Sequence, residues 1–239
     1  MELTEYKDGQ IWFNDTLEQL RTFEDNSIDH IITDPPYNID FAEWDKFFNV
    51  EEITAEWSRI LKPGGSIFCF TGWSFVTELI TKFNSDFKLN DWIIYDRIKG
   101  RGAKKRLVST REDLLWYVNS DKWTFNKDLA YSTIVKKTKG MGSKNGRDTR
   151  ALSNVWTDIS PLVPWSKERN GYPTQKPLSL MTRILKTFTN ENDIILDPFA
   201  GSGTTGEACI INKRKFIMID NNPEAIKLQK ERISKHYLI

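Results

Sequence analysis

The chain has 239 residues, 39% of them hydrophobic and 13% aromatic, enough for one large domain with a substantial core and one excursion from it. No apolar run approaches the ~18 residues of a membrane span, and the start, Met1-Glu2-Leu3-Thr4-Glu5, is no signal peptide, so a cytoplasmic protein with no membrane partner is expected. The net charge of +1 hides an asymmetry: residues 97–150 hold fifteen Lys/Arg against five Asp/Glu, a balance of +10 that leaves −9 elsewhere and points to a polyanionic partner on one face. Cys69 and Cys209 sit in apolar surroundings without metal-ligand spacing and read as buried free thiols of a reducing compartment. His30 and His236 are too few and too far apart for a zinc site, and no metal is expected.

Gln10 to Phe13 is a short strand. Asp15 follows as a helix N-cap with Glu18 three residues on, and Leu17, Leu20 and Phe23 form the helical stripe. Ile28 to Thr33 is a buried strand that ends in Asp34-Pro35-Pro36-Tyr37. After a polar, aromatic loop (38–49), Ile53, Trp57, Ile60 and Leu61 share a helical face that Lys62-Pro63-Gly64-Gly65 terminates. Ser66 to Phe70 is a strand, Phe75 to Phe83 a helix, and Trp92 to Tyr95 and Leu114 to Val118 two more strands.

From Asn119 to about Pro164 the periodicity fails, and the basic, glycine-rich run 134–150 reads as a surface excursion too long for an ordinary connection. Order resumes at Pro177, a good first helical residue, with Leu178, Met181, Ile184, Leu185 and Phe188 along one side. Asp193 to Leu196 is a strand, Thr204 to Ile211 a helix, Phe216 to Ile219 a strand, and Asn222-Pro223 opens the last helix. Strands alternating with helices predict an α/β fold with an open, mostly parallel sheet covered on both faces.

Two motifs carry chemistry. Pro35-Pro36 can neither extend the strand nor enter a helix, so the strand tip is a rigid elbow offering a carboxylate, a free Pro carbonyl and a flat ring. Those groups suit an amine on a planar heterocycle, two acceptors for its N–H bonds and a stacking face for its ring. On its own, an x-Pro-Pro-x turn is more often a mere strand stop. Far downstream, Asp197-Pro198-Phe199-Ala200-Gly201-Ser202-Gly203-Thr204-Thr205-Gly206 joins a strand to a helix through a glycine turn. Asp220 ends the next strand, where a carboxylate can take both hydroxyls of a nucleoside ribose. Gly201 to Gly206 also fits the dinucleotide pattern G-x-G-x-x-G. An acid beside the turn repels a pyrophosphate, however, and suits a cofactor bearing an ammonium and a sulfonium. A nucleoside-binding turn and an amine-binding elbow at the carboxyl ends of one sheet suggest group transfer to an amine, with S-adenosylmethionine as the fitting cofactor.

On Thr33-Asp34-Pro35-Pro36-Tyr37, Tyr172-Pro173-Thr174-Gln175-Lys176-Pro177 and Asp197 to Thr205, in that order, the chain resembles the amino-methyltransferases of DNA. Within them it is similar to the β class of site-specific adenine-N6 enzymes of restriction–modification systems. The resemblance implies an S-adenosylmethionine-dependent methyltransferase (Rossmann-like) fold of seven strands with permuted motif order. It divides the chain into a catalytic part (1–118), an inserted target-recognition segment (119–164) and a cofactor-binding part (165–239). Asp34 and the Pro36 carbonyl, on the elbow with Pro35, would accept from the target amine for in-line attack, and Tyr37 would stack on a flipped base. Cofactor contacts are implied for Asp15, Thr16, Asp34, Pro36, Tyr172 (where the family often has His), Thr174, Lys176, Asp197, Phe199, Gly201, Ser202, Gly203, Thr204, Thr205 and Asp220. Asp15 could equally be only a helix cap. Arg97, Lys99, Arg101, Lys104, Lys105 and Arg106 follow a strand and are expected at the rim beside Asp34 as DNA phosphate contacts, with Lys144, Asn145, Arg147 and Arg150 in the excursion. The partner would be double-stranded DNA, with a homodimer and a cognate endonuclease as further expectations. Cytosine-N4 modification is the nearest alternative, then an RNA adenine methyltransferase. A glutamine-directed protein methyltransferase would carry Asn at position 34 and the glycine motif first.

Overall fold

A computed structural model of the chain describes residues 1–37, 48–101, 105, 107–132 and 152–237. Among them run nine strands: β1 (Glu2–Tyr6), β2 (Gly9–Phe13), β3 (Ile28–Thr33), β4 (Leu61–Thr71), β5 (Lys88–Arg101), β6 (Ser109–Val118), β7 (Val155–Trp156), β8 (Ile194–Asp197) and β9 (Lys215–Asp220). The helices are α1 (Thr16–Leu20), α2 (Val50–Ile60), α3 (Val76–Lys82), α4 (Lys127–Ser132), α5 (Leu178–Phe188), α6 (Thr204–Ile211) and α7 (Pro223–Ser234). The strands form one sheet in the order β1-β2-β9-β8-β3-β4-β6-β5-β7. From β2 through β4 every neighbour is parallel, while β6 runs antiparallel to both β4 and β5.

The seven expected strands are all present, and two edge strands extend them. The β1 strand hairpins onto β2, and β7 pairs in parallel with β5. The expected seven-stranded sheet is therefore a nine-stranded one. Pro177 is the N-cap of α5, with φ −62° and ψ 138°, rather than its first helical residue.

Alternation along each strand fills two cores. Ile32, Phe68, Phe70, Ile195 and Met218 face α5, α6 and α7, whereas Ile31, Ile67, Cys69, Leu196 and Ile219 face α1, α2 and α3. His30, buried in β3, ties that strand to β4 and to the residue just before β8. Its Nδ1 accepts from the Ser66 N–H at 3.2 Å, and its Nε2 lies 3.2 Å from Asp193. The described flanks of segment 119–164 are fastened to this body. Asn126 donates to the carbonyls of Lys186 and Thr189, and Arg183 holds Asp158 through two bonds of 2.8 and 2.6 Å.

The topology sets the site. The chain winds outward from β3 to β4 in one direction and from β8 to β9 in the other, so β3 and β8 are the neighbours at which the winding reverses. Ligands of such sheets bind outside the carboxyl ends of the strands at this switch point. Because β6 is antiparallel, its first residues share that rim: Asp113 is opposite Thr71, and Glu112 opposite Tyr95. Among the described residues, no helix is long and apolar enough to cross a membrane.

Candidate active site

Asp34 is the first residue beyond β3, Asp197 the last of β8 and Asp220 the last of β9, so three carboxylates meet at one rim although 163 positions separate the first two. Around them lies a pocket lined by Asp34, Pro36, Tyr172, Thr174, Lys176, Asp197, Phe199, Gly201, Ser202, Thr204, Thr205 and Asp220, joined by Met181, Ala200 and Asn221. The implied cofactor residues are thus brought together, except three. Asp15 is exposed and caps α1 by accepting from the Glu18 N–H at 3.1 Å. Thr16 is buried, its hydroxyl donating to the Pro198 carbonyl at 2.7 Å, so it props the glycine turn from behind. Gly203 is the N-cap of α6, at φ +75° with Gln229 packed against it.

The turn is built for close approach. Gly201 sits at φ +43°, and a Cβ there would lie 2.7 Å from the Tyr172 ring. Its N–H donates to Asp220 at 2.8 Å and its carbonyl accepts from Gln229 at 3.2 Å, while Asn170 reaches the Ser202 carbonyl at 2.9 Å. Burial pushes Asp220 up to about 6, against the pull of the Asn222 and Gly201 N–H bonds. It pushes Asp197 up to about 7, although Thr205 and the Phe199 N–H both donate to it. These two acids form no salt bridge among the described residues. A buried and a half-buried carboxylate without cations, beside a turn that a side chain would fill, fit a ligand bringing its own positive charge and hydroxyl donors. S-adenosylmethionine has both.

A second cavity of about 420 Å³ opens on the other side of the elbow. Pro35, Tyr37, Gly72, Trp73, Tyr95, Arg97, Arg111, Glu112, Pro161, Leu162 and Arg169 line it, and it shares Asp34, Pro36, Tyr172, Thr174 and Lys176 with the first. The elbow is the partition between the two. Its carboxylate is held on both sides, by the Tyr37 hydroxyl and by the Lys176 ammonium. Lys176 also lies 3.6 Å from Glu112, which Arg97 meets at 3.0 Å. Burial alone would lower the Lys176 pKa, but Asp34 and Glu112 outweigh it and hold the group above the ordinary lysine value. Burial and the neighbouring Asp34 push the Tyr37 phenol well above its usual range, so Tyr37 stays a neutral donor.

Of the expected DNA contacts, Arg97 lines the second cavity and Lys105 is exposed. The backbone of Lys99 and Arg101 belongs to β5. Lys104, Arg106, Lys144, Asn145, Arg147 and Arg150 lie outside the described residues. Sequence reasoning missed Glu112, Tyr95, Trp73, Arg111 and Arg169. A signal for two of them existed: Arg111-Glu112-Asp113 is a charged triplet directly before the apolar run Leu114 to Val118, marking where that strand meets the rim.

Similarity to known proteins extends over most of the chain. A family model described as DNA methylase, for N6 and N4 methyltransferases, matches residues 28–231. The chain is 34% identical to Type II methyltransferase M.HpaI of Haemophilus parainfluenzae, over 96% of this chain and 76% of that protein. It is 33% identical to DNA adenine methyltransferase YhdJ of Escherichia coli K12, over 93% and 82%. The crystal structure of the M1.HpyAVI–SAM complex superposes with a TM-score of 0.68 at 30% identity, covering 94% of this chain and 98% of that one. The cytosine-N4-specific PvuII DNA methyltransferase, at 18% identity and a TM-score of 0.72, shares the fold. A partition of Asp-Pro-Pro-Tyr between two cavities, and a model match across most of the sheet, lead to one assignment: the chain belongs to the DNA methylase family of N6/N4 amino-methyltransferases.

Proposed function

We propose that the protein is a site-specific DNA methyltransferase that moves the methyl group of S-adenosylmethionine to the N6 amino group of adenine in double-stranded DNA. The carrying observation is the elbow shared by the two cavities, which gives Asp34 and Pro36 access to a cofactor on one side and a base on the other. When bound, S-adenosylmethionine supplies a methyl group on a positively charged sulfur. Asp220 takes the ribose hydroxyls, Gly201 and Ser202 line the nucleoside, and Asp197 with Thr204 and Thr205 faces the charged end. Asp34 and the Pro36 carbonyl accept the two N–H bonds of the amine, which aims its lone pair at the methyl carbon. The proton released on methylation passes to Asp34 and from there to water. A target adenine inside a duplex cannot reach the elbow, so it is flipped out, with Tyr37 as its stacking face.

In this reading 1–118 carries the catalytic part, 119–164 the target-recognition segment and 165–239 the cofactor part. Arg97, Arg111 and Arg169 line the DNA side of the cavity and hold phosphates. The family description supports modification of DNA and the name of the E. coli relative supports adenine, while a cognate endonuclease and a homodimer are what the family resemblance implies. Cytosine-N4 transfer needs the same elbow, but Asp34 instead of Ser favours adenine.

The test is expression of the wild type and Asp34→Ala in a methylation-free host, with modified bases read genome-wide. N6-methyladenine confined to one short motif and absent with Asp34→Ala is expected. N4-methylcytosine would change the base and keep the mechanism, whereas an unmodified genome from folded, cofactor-binding protein would refute DNA modification.

A further inference from the structure

Asp34 is fully engaged before any base arrives. One carboxylate oxygen accepts from the Tyr37 hydroxyl and the other from the Lys176 ammonium. Lys176 is 7% exposed, with its ammonium 5.1 Å from the centre of the Phe70 ring. An ammonium in that position works against the chemistry. The amine nitrogen gains positive charge as it is methylated, and Asp34 stabilises that charge only to the extent that its own is not already neutralised.

The structure contains a second acceptor for the lysine. Glu112 stands on β6, opposite Tyr95, with one oxygen accepting from Arg97 Nη1 at 3.0 Å. Its other oxygen, Oε2, is buried, has no hydrogen-bond partner among the described residues and lies 3.6 Å from Lys176 Nζ. A buried carboxylate oxygen left unpaired is costly, and a charge-assisted bond closes at about 2.8 Å. The end of one lysine side chain therefore has to travel only about an ångström.

We propose that Lys176 passes from Asp34 to Glu112 Oε2 as the target amine docks, which makes Glu112 a positioning residue that frees the catalytic carboxylate. Lys176 is then the counter-ion that keeps Asp34 satisfied in the empty enzyme, and Glu112 is where it goes. The inference rests on the reading that Asp34 receives the amine.

The test uses Glu112→Gln, Lys176→Met and the pair together, in the full chain. One readout needs no cofactor: the ratio of duplex affinities with and without the recognition sequence, by fluorescence anisotropy. The other is the split between kcat and the KM for S-adenosylmethionine. Glu112→Gln leaves the ammonium on Asp34. Its kcat should fall by about 10- to 100-fold, the usual scale for one misplaced electrostatic group, with cofactor KM within about twofold, and its discrimination ratio should fall by about tenfold. Lys176→Met strands two carboxylates beside each other and is also slow. The double variant has neither fault and recovers most of both losses, whereas a purely structural role would make it worse than either single change. A double variant no faster and no more discriminating than Glu112→Gln, with cofactor binding and melting temperature intact, overturns the proposal. Undiminished turnover in Asp34→Ala would overturn both this inference and the reading beneath it.

Discussion

The two cavities on either side of the elbow handle charge in opposite ways. On the cofactor side, Asp197 is buried and Asp220 half-buried, both are hydrogen-bonded only to hydroxyl and amide groups, and they are pushed up to about 7 and about 6. On the other side the acid that lines that cavity alone, Glu112, has Lys176 and Arg97, and Asp34, which both cavities share, has Lys176. The first arrangement leaves its acids for an incoming cation to satisfy, and the second satisfies its own. The difference suits a cofactor that carries positive charge and a base that is neutral.

Three experiments bear on that contrast. The largest effect is expected from Gly201→Val, which combines a left-handed φ with a collision against Tyr172. Strain of roughly 1–3 kcal/mol plus the displaced ring should weaken S-adenosylmethionine binding by about 100-fold in calorimetry, with a smaller loss of DNA affinity because Tyr172 also lines the second cavity. Smaller is the effect of pH. Both acids titrate higher when folded than in the unfolded chain, so their protonation stabilises the empty protein at low pH, and that stability is lost as pH rises through about 6 to 7. Cofactor binding needs the charged forms and runs the other way. Affinity should drop by about tenfold between pH 8 and pH 6, with protons released on binding in that range, and a flat profile would contradict the uncompensated acids. The smallest concerns the opposite cavity: Arg169→Ala should leave cofactor affinity alone, weaken duplex binding a few-fold and reduce the slope of log K against log salt by about 0.9.

The strands that carry these residues were legible because a half-buried or buried strand advertises itself by apolar content. All seven sequence-derived strands exist, and the elbow and the glycine turn lie at the tips expected of them. What was hidden is polar. Glu2-Leu3-Thr4-Glu5-Tyr6 forms β1 by hairpin pairing at a sheet edge, where neither face needs to be apolar, and β7 is two residues long. The β6 strand begins at Ser109, five residues before its apolar run, and those five carry Glu112 and Arg111 to the rim only because the strand runs antiparallel. Strand direction is a property of the assembled sheet, so no local pattern announces it. Thr16 holds the turn through the Pro198 carbonyl, a role that a short polar side chain next to a cap cannot express in sequence.

The placement of β8 and β9 between β2 and β3 also constrains how the molecule is made. While a ribosome is still translating the first 190 residues, the two strands that separate β2 from β3 do not yet exist and the middle of the sheet is a gap. The N-terminal half must wait as an incomplete layer with exposed strand edges, and central strand pairing is necessarily late and long-range, which favours slow folding and a need for protection from aggregation. The same wait has a useful side. The elbow at the tip of β3 is synthesised early but meets the glycine turn only once β8 pairs with β3, so a nascent chain holds the two motifs apart until the sheet is closed.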